Sequence, residues 1–192
     1  MHLEPRSGLL GAWDKIVGPG ASATETVVTL TAMAVSVPLA WYAAVRDGSP
    51  HWQWWTWIIV LVLASDLGGG LVANALPATK RWYHRPGSTG MQHLGFAALH
   101  VHPFALAWLA PNQVNWTWAL LLYSWMMGSC GVVLLVPRPV RLAFAFALTA
   151  TGVVVSSRWV PVASPLGWVS CVLLLKVLAG HMVGPEAVSD QT

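Results

Sequence analysis

Residues 51–77 read HWQWWTWIIVLVLASDLGGGLVANALP, and the fold depends on what surrounds such a stretch. Between Trp54 and Leu76 one charged residue, Asp66, interrupts an otherwise uncharged run. A helix of about 20 mostly apolar residues crosses the hydrocarbon of a bilayer. The leading aromatics Trp52, Trp54, Trp55 and Trp57 suit the headgroup level, where amphipathic rings collect.

The rest of the chain has the same character. Of its 192 residues 56% are hydrophobic and 9% charged, with mean hydropathy +0.59; a soluble domain carries roughly 25% charged residues. The composition therefore predicts an integral membrane protein of the all-α class. A net charge of +3 and a pI near 9.2 do not indicate nucleic acid, because the bases fall between apolar runs and read as topology signals.

Six runs are long enough to be spans: about 24–45, 52–77, 92–110, 114–136, 140–157 and 160–183, each bounded by charge, Pro or Gly. They predict one six-helix transmembrane domain over 24–183, preceded by a cytoplasmic segment 1–23 and followed by a polar, disordered cytoplasmic tail 184–192. With both termini inside, the cytoplasmic loops hold Arg6, Lys15, Lys80, Arg81, Arg85, Arg138 and Arg141, against Arg46 and Arg158 outside, as the positive-inside rule requires. The expected location is the cell membrane, multi-pass. A five-span alternative makes the third run, interrupted by His100, His102 and Pro103, re-entrant. The N-terminus lacks the apolar core and small-residue cleavage site of a signal peptide. Cys130 and Cys171 lie in apolar runs without metal or redox spacing and read as core thiols. No internal repeat supports an inverted-repeat transporter.

The polar residues inside these runs carry the functional signal. A charge at the bilayer midplane costs at least about 2.5 to 3.5 kcal/mol, so Asp66 should have a partner and face other helices or water. In a regular helix Asp66, Gly70 and Ala73 share a face, with Gly69 beside it, so a neighbouring helix can come close there. Asn74 lies nearer the cytoplasm. In the third run His93 and His100 fall on one face and His102 on nearly the opposite one. The loop TKRWYHRPGSTG carries Lys80, Arg81, His84 and Arg85 among aromatics. It reads as a juxtamembrane anchor or as a mouth for an anionic head group. Lys176 and His181 in the last run are secondary candidates, and Lys176 either snorkels to the interface or faces Asp66.

Depth places these groups in one polar cavity between spans two, three and six, open to the cytoplasm. The leading expectation is a membrane enzyme acting on a lipidic or isoprenoid-like substrate. Asp66, His93 and His100 would supply acid–base groups, Asn74 would orient, and Lys80, Arg81, His84 and Arg85 would bind an anionic head. Asp66, His93, His100 and His102 are also a plausible ligand set for zinc or iron. A carrier of protons, metal ions or a small solute is the second expectation, and a structural or accessory subunit the third. Expected partners are membrane lipids and a hydrophobic small molecule, with no nucleic acid. GxSxG, HExxH and Walker-type signatures do not occur in the sequence.

Overall fold

The computed structural model describes residues 4–47, 51–160, 162 and 164–185. All regular structure among them is helical. Of the expected tail, the portion from residue 186 onward lies outside the described residues.

A short amphipathic helix, α1 (Gly8–Val17), occupies the N-terminal segment. The Arg6 guanidinium grips Asp14 at 2.6 Å and 2.9 Å, and these hydrogen bonds hold the Asp14 carboxyl below the ordinary carboxylate range. Helix α2 (Ala23–Arg46) starts at a capping box: Ser22 Oγ accepts from the Glu25 amide, and the Glu25 carboxylate accepts from Ser22 N at 2.8 Å. The other Glu25 oxygen accepts from Ala78 N at 2.9 Å. One residue thus caps α2 and ties its start to α4 (Pro77–Tyr83), which follows α3 (Trp54–Ala75) directly.

Helices α2 and α3 pack along the glycines of α3. Gly68 leaves room for Ser36 and Gly69 for Met33, each so close that an added Cβ would overlap it. On the remaining sides α3 meets the C-terminal helix (Trp168–His181) and the short helix His102–Leu109. The core lies between α3, α7 (Trp116–Leu135), α8 (Arg141–Arg158) and the C-terminal helix, and includes Leu67, Trp118, Leu122, Met126, Leu173, Leu174 and Leu178. Outside it, α2 exposes Val35, Leu39 and Tyr42, and α8 exposes Leu142, Phe146 and Val154. Such broad apolar exposure belongs to a lipid-facing surface.

Four helices are long and apolar enough to cross a membrane: Ala23–Arg46, Trp54–Ala75, Trp116–Leu135 and Arg138–Arg158. They support an integral membrane protein; the third and sixth expected runs are not single long helices. The third run is split into α5 (Gly90–Ala98) and α6 (His102–Leu109). Pro103 explains the break: it has no N–H to donate to the carbonyl four residues earlier, that of Leu99, and Leu99 O accepts from Val101 N at 2.9 Å instead. The sixth run begins late. A 3-10 turn, Ser164–Leu166, precedes α9 (Trp168–Leu174), which passes into a π-helical stretch, Leu175–His181.

Candidate functional site

Asp66 lies about 18 Å along α3 from Trp54 and about 14 Å from Ala75, at roughly 1.5 Å per residue. Lys176 approaches it from the C-terminal helix. Its ammonium donates to Asp66 Oδ2 at 2.7 Å and to the Asp66 carbonyl at 3.3 Å. The approach depends on Gly70, where an added Cβ would stand 2.4 Å from Lys176 Cε. From the other side His102 Nε2 meets the same oxygen, Oδ2, at 3.2 Å. The Lys176 side chain is 6% exposed, but that of Asp66 is 48% exposed. The lysine is therefore enclosed and the carboxylate half exposed; exposed Val62 lies one turn before it on α3, and exposed Leu99 and Val101 lie in the turn that leads to His102.

Two departures from regular α-helix bring these groups together. The turn at Leu99–Val101 reorients His102, which on a straight helix would point away from the His93 and His100 face; here it contacts the carboxylate. In the last helix, Met182 N bonds to Val177 O at 2.9 Å, five residues back. On an α-helix, residues five apart sit about 140° around the axis from each other. The slower π winding reduces that angle and lets Lys176 and His181 both face inward, each buried. Such π segments leave carbonyls without their usual partners; Asn74 Nδ2 donates to Lys176 O at 3.3 Å.

A second cluster lies toward α4. His93 Nδ1 and His181 Nε2 share a hydrogen bond at 3.1 Å, His84 stacks on His93 with ring centroids 4.4 Å apart, and Phe96 stacks on His181 at 3.6 Å. His84 Nε2–H donates to the His181 carbonyl at 2.8 Å. Lys80 donates to the carbonyls of Gly180 and Val183, closing the end of the π stretch. Burial pushes the His84 imidazole down to about 4 and lowers Lys80 below its ordinary value. The link to the first cluster runs through Phe96 and His100, whose rings are 4.8 Å apart; His100 and His102 are 5.4 Å apart. His100 Nδ1–H donates to Phe96 O at 2.9 Å.

Several expectations change with this geometry. The partner of Asp66 from the third run is His102, not His93 or His100. Asn74 holds backbone rather than facing a reacting group. Of the four bases assigned to an anionic head, Lys80 and His84 are engaged by carbonyls of the C-terminal segment. Arg85 bonds Trp82 O at 2.6 Å and lies over the Trp82 ring at 4.0 Å, and Arg81 is exposed. As for the metal expectation, no three His, Cys, Asp or Glu side chains among the described residues converge as a ligand set. In place of a cavity open to the cytoplasm, the polar groups pack on one another, with Phe96 against His181 and the Lys176 chain against Gly70. Two recesses lie elsewhere, one lined by Trp118, Ser156 and Ser170 and one by Arg6 and Asp14.

Sequence reasoning missed Phe96 as the spacer between the clusters, and it missed the role of His102. The signal for the second was present, since a proline one residue after a histidine in an apolar run marks a place where the helix face is reset. Chemically, the site offers a half-exposed carboxylate with one oxygen held by an ammonium and an imidazole, while the other accepts from no side chain among the described residues. Comparison with protein-family models, with curated proteins and with solved structures returns no match.

Proposed function

We propose that the chain is an integral membrane enzyme whose acid–base centre is Asp66, oriented by Lys176 and His102, and whose lipid-soluble substrate arrives from the side of the bundle. The supporting observation is the asymmetry of the ion pair. A carboxylate serving only to neutralise Lys176 would be enclosed with it, whereas this one keeps a half-exposed face among exposed apolar side chains. Intramembrane ionisable groups are costly and are commonly retained for function. Lys176 balances the carboxylate charge, and Asp66 in turn fixes the His102 ring, the arrangement by which a carboxylate orients an imidazole for proton transfer. The reading includes six crossings, with α5–α6 as a broken third and α9 with its π stretch as the sixth, both termini at the cytoplasmic face of the cell membrane.

The test compares lipid extracts of cells expressing the protein, its Asp66→Asn variant or its His102→Phe variant, all at matched membrane levels. The enzyme reading expects at least one lipid-soluble species to change with the wild type and with neither variant. Identical extracts in all three would sink it.

A second reading, a proton carrier, has its own observation. Imidazoles run from His84 through His93 and His181 to His100, His102 and Asp66. Phe96 interrupts the run between His181 and His100, which favours the enzyme. Proton flux into dye-loaded vesicles that Asp66→Asn abolishes would reverse the preference.

A further inference from the structure

The depth and surroundings of Asp66 specify what can reach it. We infer that the ligand of this site is an uncharged, hydroxyl-bearing lipid-soluble molecule, such as a long-chain alcohol or a quinol, and not a lipid with a phosphate or other anionic head. The inference deepens the enzyme reading and rests on the same lateral opening.

Three observations carry it. Asp66 sits far from both ends of α3, near the middle of a hydrocarbon layer about 30 Å thick, so a charged head group would have to leave the interface and cross roughly half that layer to touch it, which is strongly unfavourable. The way in is apolar: Val62 one turn before Asp66, and Leu99 and Val101 at the break, are 63%, 77% and 50% exposed. An anionic head would also lack a cationic cradle. Lys176 is committed to Asp66, and Lys80 and His84 are committed to backbone carbonyls. A carboxylate with an open oxygen is an acceptor, and the group that complements it is a neutral donor, an O–H. The hydroxyl would donate to Asp66 while its chain lies along Val62 and Leu99 in the lipid. Accepting that hydrogen bond leaves the carboxylate ionised and its pair with Lys176 intact.

The test uses the full chain in phosphatidylcholine nanodiscs with two photoreactive probes: a long-chain primary alcohol carrying a diazirine near its hydroxyl, and the phosphate monoester of that alcohol. The alcohol should label peptides spanning 58–66 and 99–104, and the phosphate ester should leave them unlabelled. Asp66→Asn should lower alcohol labelling there roughly tenfold, the difference between a hydroxyl bonded to a charged acceptor and to the neutral amide oxygen that replaces it. Val62→Trp leaves the ion pair untouched and blocks the approach, so it should lower labelling comparably even where Asp66→Asn fails to fold. Equal labelling by the phosphate ester would overturn the inference. So would alcohol labelling spread evenly over lipid-facing helices and indifferent to Val62→Trp. Labelling does not depend on turnover: a labelled protein that changes no lipid would retain this site and lose the enzyme reading, and turnover of a phosphate-headed lipid would do the reverse.

Discussion

The two polar clusters of this molecule are built from the same few residue types and are put to opposite uses. Around His84, His93 and His181 the rings stack, bond one another or bond backbone, and Lys80 closes the end of the π stretch. Around Asp66 the partners leave one side open. Histidines and a lysine near a membrane are therefore no evidence of chemistry by themselves. What separates the clusters is exposure: the histidine cluster is packed inside, with His181 Nδ1 buried and without a hydrogen-bond partner among the described residues, whereas the Asp66 carboxylate is half exposed.

The largest effect should come from breaking the Asp66–Lys176 pair. Asp66→Ala strands a buried ammonium and should cost about 3 to 5 kcal/mol. Lys176→Met should be milder, because Asp66 is half exposed. The double variant should cost clearly less than the sum, as a double-mutant cycle on unfolding in one detergent would show. Additive costs would mean that the pair does not act as a unit.

Next comes the glycine that admits Lys176. Gly70→Leu forces the lysine stem aside and should cost about 1 to 3 kcal/mol together with the lipid change tested above. Gly95→Ala in α5, where an added Cβ meets nothing within 4 Å, should be neutral or slightly stabilising. Equal effects at the two positions would remove Gly70 from the account.

In the closed cluster, Lys80→Met uncovers the Gly180 and Val183 carbonyls and should cost about 1 to 3 kcal/mol. Hydrogen exchange should show the loss confined to the last turns around 177–183, with the Asp66 region unchanged. Loss of protection at both clusters would mean that they open together.

The last difference is a pH dependence at His84. Its folded value is near 4 against 6.5 ordinarily. Above pH 6.5 neither state holds the proton. As pH falls from 6.5 toward 4 the unfolded chain takes it up and the folded one does not, so stability falls through that window and levels below it. Replacing His84 with Gln should flatten that part of a melting-temperature profile measured against pH. An unchanged profile would assign the slope to other groups.

Much of the fold was legible because partition into lipid sums over residues. The expected runs 24–45, 114–136 and 140–157 agree with α2, α7 and the Arg138–Arg158 helix within a few residues. The run ending near Pro77 agrees with α3 and the start of α4. The third and sixth runs are legible as apolar segments, but the backbone inside them is not. Pro103 marks an interruption, yet its consequence for His102 depends on which carbonyl loses its donor. The π stretch has no marker of comparable strength in LKVLAGH. Lys80 and His84 looked available because sequence cannot show that the Gly180, His181 and Val183 carbonyls would need donors.

The sequence by itself determined the lipid environment, the long helices and the requirement that Asp66 have a partner, since each follows from a transfer cost paid residue by residue. Which residue answers that requirement was decided only in three dimensions. Shifting one helical hydrogen bond from four residues back to five, or removing one at a proline, turns the following side chains by a large angle about the axis. Those turns aim Lys176 and His102 at one oxygen of Asp66 and leave its other side open.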